Sequence, residues 1–198
     1  MTNFAHELAA AVADAPDRPA VKLDDLVLDY ALLDAGAQRA AGLLRAPGVE
    51  PGDRVGVMLP NVPYFGVIYY GVLRAGGVVV PMNVLLKGRE VEFYLSDSGA
   101  RHVFAWHDFG EAATTGAEAA GAEAILVKPG EFEQLVIAAP RAEQDEPREP
   151  DDTAVILYTS GTTGTPKGAE LTHSNLIENC RGVADNLGHM TEEDVVLG

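Results

Sequence analysis

The chain has 198 residues, with 14 Lys plus Arg against 30 Asp plus Glu, a formal charge of −16, and 47% hydrophobic residues. That apolar content is enough for a packed core, so a mostly disordered chain is excluded, and the length allows one ordinary domain or one plus a small lobe. The acidic balance excludes nucleic acid as a main partner, because phosphate neutralisation needs clustered Lys and Arg, and it argues against an anionic membrane surface.

The opening segment, to Asp17, has no basic region and carries Glu7, Asp14 and Asp17, so it does not read as a signal peptide. Phe4, Leu8, Ala11 and Val12 recur at helical spacing and predict a first helix, ended near Pro16. The short apolar runs Val21–Leu23 and Leu26–Leu28 flank Asp24-Asp25 and predict a small hairpin. Asp29 suits the cap of a helix from Tyr30 to Arg45, with Leu32, Leu33, Leu43 and Leu44 as buried candidates and Pro47-Gly48 closing it.

A repeating unit follows. Arg54–Leu59 predicts a strand, and Asn61 is expected to cap a helix over Val62–Ala75. Val78–Val80 is a second strand stopped by Pro81, and Arg89–Ser98 is a helix with Gly99 placed to end it. His102–Trp106 is a third strand, Asp108–Ala122 an alanine-rich helix, Ala124–Val127 a fourth strand, and Glu131–Ile137 a short helix or turn. Strands alternating with helices imply crossovers, hence an α/β fold with a largely parallel sheet and flanking helices. The most apolar stretch, Val62 to Leu86, is cut by Pro63, Arg74, Gly76, Gly77 and Pro81. It falls short of the ~18 apolar residues a spanning helix needs, so no transmembrane segment is expected.

From Pro140 to Asp152 the chain turns acidic and proline-rich, with no large apolar side chain, which predicts an exposed connector. The expected division is a first α/β lobe over 1–139, the connector over 140–152, and a strand–loop–helix segment over 153–198. In that last part, Thr153–Tyr158 is a continuous apolar run typical of a strand covered on both faces. Glu170-Leu171 suggests a further short strand, and Thr172 is placed to cap a helix running to about Asn186.

The chemistry concentrates in YTSGTTGTPKG, Tyr158 to Gly168, which packs hydroxyls, glycines and Lys167 into one loop behind a buried strand. Glycines let backbone N–H groups converge on an anion, hydroxyls donate to phosphate oxygens or reach a magnesium ion, and a lysine adds a mobile point charge. Lys167 is one of only four lysines, with Lys22, Lys87 and Lys128. The nucleotide P-loop pattern fails, since Pro166 and Gly168 flank the lysine where Gly and Ser or Thr are required, and the dinucleotide fingerprint is absent.

That string resembles the signature loop of the AMP-forming acyl-CoA synthetases, in the adenylate-forming ligase superfamily. GDRVGVMLPN (Gly52–Asn61), LRAGGVVVPMN (Leu73–Asn83), LSDSGAR (Leu95–Arg101) and LTHSNL (Leu171–Leu176) extend the resemblance over nearly all of residues 20–198. Ser160-Gly161-Thr162-Thr163-Gly164 and Val80-Pro81-Met82-Asn83 look more like acyl-CoA synthetases than like peptide-synthetase adenylation domains.

The resemblance implies the N-terminal part of the large domain of such an enzyme. Its chemistry would join a carboxylic acid, expected to be a fatty acid, to coenzyme A through an acyl-AMP intermediate, using ATP and Mg2+. It assigns the ATP phosphates to Thr159, Ser160, Gly161, Thr162, Thr163, Gly164 and Lys167, with Thr159 the hydroxyl near Mg2+. No catalytic residue is expected before Gly198. The adenine, ribose, acyl and coenzyme A motifs of the family would lie downstream, so an inactive fragment is expected. Its uncovered sheet should leave apolar surface exposed and favour self-association. A peptide-synthetase-type adenylation domain and a non-catalytic phosphate-binding remnant are the alternatives.

The remaining residues read as structural. His6-Glu7 begins a zinc pattern that Ala10 breaks, and His102, His107, His173 and His189 have no partner at ligand spacing. His173, at a helix start, is expected to be structural or capping. The lone Cys180 permits no intrachain disulfide; it reads as a buried small hydrophobe and fits the reducing cytoplasm. Ser160 lacks a nucleophile elbow. Tyr64, Phe65, Tyr69 and Tyr70 read as core of the Val62–Ala75 helix and not as a ligand box.

Overall fold

The computed structural model describes residues 3–159, 165–188, 190–191 and 194–196. Helix α1 (Ala5–Asp14) leads to an antiparallel pair, β1 (Pro19–Leu23) and β2 (Leu26–Asp29), which turns at Asp24 with φ 51°. Asp29 then starts α2 (Tyr30–Arg45), its carboxylate accepting the Leu32 N–H at 2.7 Å, as the sequence predicts.

The repeating unit gives β3 (Arg54–Met58), α3 (Pro63–Arg74), β4 (Val78–Pro81), α4 (Gly88–Ser98), β5 (His102–Trp106), α5 (Gly110–Ala120), β6 (Glu123–Val127) and α6 (Glu131–Ala138). After a segment without regular structure come β7 (Thr153–Thr159), β8 (Lys167–Thr172) and α7 (His173–Gly182), continued by a π-helical turn over Val183–Gly188.

Six strands form one sheet in the order β6-β5-β3-β4-β7-β8; the first five run parallel and β8 returns antiparallel along β7. The crossover from β3 to β4 steps one way along the sheet and those from β4 to β5 and β5 to β6 step the other way, so right-handed crossovers place α3 on one face and α4 and α5 on the other. Strand alternation divides the core accordingly. Val55, Val57, Val79 and Phe104 face one layer with Leu44, Ile68 and Phe132, while Met58, Val78, Val80, Val103 and Ile156 face the other with Val91, Leu95 and Ala113.

Two sequence expectations are corrected. Helix α3 is not capped by Asn61: its N-cap is Val62, which makes no side-chain cap, because Pro63 in the first turn has its φ preset and lacks an N–H to satisfy. Leu32 is 56% exposed, since α2 buries the stripe Leu33, Ala37, Ala40, Ala41 and Leu44, and Leu32 flanks it beside an apolar groove.

Residues 140–152 lack regular structure and are mostly exposed, as expected; they lie as a strap along α2 and α3. The Ala142 N–H donates to the Gln38 carbonyl at 3.0 Å and the Glu146 N–H to the Arg74 carbonyl at 2.8 Å. Buried Arg74 pairs with Asp34 and, at 2.6 Å, with Asp145 of the strap. Asn3 joins them, its amide donating to the Leu73 carbonyl at 2.7 Å and the Glu146 carbonyl at 2.9 Å. Polar groups satisfied in this way are held without an apolar side chain.

The strap passes so close to α2 that a Cβ at Gly42 would overlap the Pro140 carbonyl oxygen. Alanine favours a helix interior over glycine by ~1 kcal/mol. Gly42→Ala is nevertheless expected to destabilise the chain, by about 1–3 kcal/mol. Chemical denaturation reads the sign directly: a more stable variant would mean that the strap does not press on α2.

Candidate functional site

The chemistry-bearing string leaves the sheet at the end of β7. Ala154, Val155 and Ile156 are buried, whereas Leu157 is 41% exposed and Thr159 is exposed. Because β7 runs parallel to β4, Thr159 emerges at the same edge of the sheet as Met58, Pro81 and Trp106, the carboxyl ends of their strands. Open α/β sheets bind ligands at that edge.

The chain re-enters at Lys167, which is the ladder partner of Thr159, and Gly168 is the partner of Tyr158. The register thus sets a hydroxyl directly opposite an ammonium group at the two roots of the loop. Among the described residues Lys167 is exposed and has no carboxylate partner. In a chain of charge −16 this leaves a cation free to meet an anion. A hydroxyl donor beside a mobile ammonium fits a polyphosphate and the Mg2+ that accompanies it. Ser160, Gly161, Thr162, Thr163 and Gly164 lie outside the described residues.

The strand β8 is longer than the Glu170-Leu171 expected from sequence. It carries Lys167, Gly168 and Glu170, residues of low strand preference, and lies at the edge of the sheet, where packing demands are weakest.

Sequence reasoning gave Asp97 no role, yet it lies beside the root of the loop. The Tyr158 hydroxyl donates to Asp97 Oδ2 at 2.6 Å, and the Tyr158 ring packs on Tyr94 with centroids 4.2 Å apart. Burial, and after it the Asp97 carboxylate, push the Tyr158 hydroxyl above its ordinary pKa, so it stays a donor at neutral pH. The only sequence signal was the place of Asp97 in LSDSGAR.

His173 is structural. It is fully buried, and its Nδ1 accepts the Phe4 N–H at 3.0 Å, tying α7 to the start of α1. Burial, with the Arg148 charge second, lowers its pKa to about 4. The pairing of Thr153 with Thr172 puts it beyond the opposite end of the β7–β8 ladder from Lys167, ~20 Å along the strands. Thr172 caps α7, accepting the Asn175 N–H at 3.2 Å while Asn175 accepts the Thr172 N–H at 3.1 Å.

Cys180 is exposed, not buried. It shares a stripe of α7 with buried His173 and Ile177, but at the far end of the helix. Tyr64, Phe65, Tyr69 and Tyr70 pack against the core, with Phe4 stacked on Tyr70 at 6.2 Å. Among the described residues no helix is long and apolar enough to cross a membrane.

The family described as AMP-binding enzyme matches residues 8–198. A feruloyl-CoA synthase of Amycolatopsis is 41% identical over 168 residues, covering 85% of this chain and 33% of that protein. The long-chain-fatty-acid–CoA ligase FadD13 of Mycobacterium tuberculosis is 38% identical over 161 residues, covering 77% of this chain and 31% of its own length. The crystal structure of ATP-bound MatB from Rhodopseudomonas palustris aligns with a TM-score of 0.84 at 32% identity, over 93% of this chain and 38% of that one. The chain therefore spans about a third of the length of the curated relatives it matches.

Proposed function

Since the chain belongs to the family of AMP-binding enzymes, we propose that it is the N-terminal portion of an ATP-dependent carboxylic acid–CoA ligase, with a fatty acid as the acid, and that its 159–167 loop binds the ATP phosphates. The observation that carries this reading is the ladder pairing of Thr159 with Lys167 at the carboxyl edge of a parallel sheet. The ATP bound to the similar MatB supports it.

In the proposed reaction a carboxylate oxygen attacks the α-phosphorus of ATP. The bond to the β-phosphate bridge oxygen breaks, and pyrophosphate leaves. The thiolate of coenzyme A then attacks the acyl carbon of the mixed anhydride and expels AMP. Lys167 neutralises negative charge on the β- and γ-phosphates as the leaving group forms. The Thr159 hydroxyl donates to a phosphate oxygen or, where Mg2+ accompanies the ATP, would contact that ion, which would help neutralise the phosphate charge. Ser160, Thr162 and Thr163 add hydroxyl donors, and Gly161 and Gly164 let backbone N–H groups approach. On this reading, the 140–152 strap divides the first lobe from the segment that starts the nucleotide site.

The test uses the phosphate part of the ligand alone. Isothermal titration of the chain with magnesium pyrophosphate is expected to show binding that Lys167→Ala weakens about 10- to 100-fold, the worth of a charged hydrogen bond. Lys167 is exposed, so the variant should keep the parent circular dichroism spectrum. Equal affinity in parent and variant refutes the assignment.

A further inference from the structure

We propose that Asp97 is a positioning residue for the 159–167 loop, acting through Tyr158 and Gly168 to fix both roots of the loop against α4. The proposal rests on the phosphate-binding reading of that loop.

Tyr158 stands one residue before the loop and Gly168 one residue after it, and they face each other across the β7–β8 ladder. A single side chain therefore reaches both roots. The Tyr158 ring packs on Tyr94 and meets Phe93 edge-on at 6.3 Å. Its hydroxyl is held by Asp97 at 2.6 Å, the short O–H···O distance of a charge-assisted hydrogen bond.

Gly168 is part of the same device. Its φ is not positive, so the backbone does not call for glycine there. Space does: a Cβ at 168 would lie 2.8 Å from Ile156 Cγ2 and 3.3 Å from Tyr158 Cζ. A side chain there would clash with Ile156 and press on the Tyr158 ring that carries the hydroxyl.

The location of Asp97 points the same way. It lies in the last turn of α4, where unpaired backbone carbonyls disfavour an acid. Helix stability therefore does not explain it, whereas the hydrogen bond to Tyr158 does. That bond also turns a carboxylate near a phosphate-binding loop into an acceptor already engaged.

The experiment compares Asp97→Ala, Asp97→Asn, Tyr158→Phe and the Asp97→Ala/Tyr158→Phe pair in the 198-residue chain. Asp97 is exposed, so these variants should fold. Amide exchange at Thr159 and Lys167, without ligand, is expected to quicken about three- to tenfold in Asp97→Ala and Tyr158→Phe, the worth of one hydrogen bond. The pair should be no faster than either single variant. An asparagine side chain keeps an acceptor oxygen in the same place but without the charge, so the Asp97→Asn rate should fall between those of the parent and Asp97→Ala. Magnesium pyrophosphate affinity should follow the same order.

Unchanged exchange in Asp97→Ala, or additive effects in the pair, overturn the proposal whatever binds. Weakened binding in Lys167→Ala together with unchanged binding in Asp97→Ala also overturns it, and leaves the phosphate reading standing. Absence of pyrophosphate binding in the parent overturns the phosphate reading, and with it the role of Asp97 in positioning the loop for phosphate.

Discussion

Arg74→Ala is expected to lower the unfolding free energy by about 3–5 kcal/mol, the cost of breaking a buried ion pair by removing one partner. The Arg74 side chain is 4% exposed and reaches Asp34 on α2 and Asp145 on the strap, whose side chains are 12% and 9% exposed. Without it, two carboxylates face each other with little water. Asp34 keeps the Gln38 amide, at 2.7 Å. The loss should be local before it is global, with amides of residues 142–146 exchanging faster than those of β3 and β5. Replacing Arg74, Asp34 and Asp145 together by apolar residues should cost less than removing the arginine alone, because no charge is then stranded. Urea denaturation measures both variants; a loss under ~1 kcal/mol for Arg74→Ala would make the triad an ordinary surface pair.

The second large effect is acid sensitivity. His173 prefers its neutral form in the folded chain, with a pKa lowered from 6.5 to about 4. The unfolded chain takes up a proton first as pH falls. The stability contributed by the neutral imidazole is therefore complete above pH 6.5 and is lost as pH drops through 4, by about 3 kcal/mol in all. Protonation also ends the acceptance of the Phe4 N–H by Nδ1 and places a charge near Arg148. His173→Gln should be less stable than the parent at pH 7 but should change less between pH 7 and pH 4. Denaturation midpoints across that range decide it; parallel curves would mean that His173 titrates with the solvent.

The βα units were legible because their signals are local. The short apolar strands RVGVM and VVVP, Asp29 as a cap and Gly99 closing α4 at φ 73° each act within a few residues. The loop roots were legible because Thr159 and Lys167 belong to one string. What sequence reading missed depends on distant partners. Arg74 meets Asp34 and Asp145 across 40 and 71 residues, and Tyr158 meets Asp97 across 61. Composition correctly denied residues 140–152 an apolar core. It could not show that backbone hydrogen bonds and one buried guanidinium would hold them instead. Cys180 was misread because helical periodicity gives the stripe on which a residue sits, not how far the covering layer extends along it.

The antiparallel return of β8 has an electrostatic consequence. In sites where a strand turns straight into a helix, the helix N-terminus meets the phosphate and supplies N–H groups and the positive end of its dipole. Here the chain first runs back along β7, so α7 begins at Thr172, opposite Thr153, at the amino end of that strand. Its positive end therefore points away from the loop. On the phosphate-binding reading proposed above, anion affinity at the 159–167 loop would then come from hydroxyls, loop amides and Lys167, and not from the N-terminus of α7.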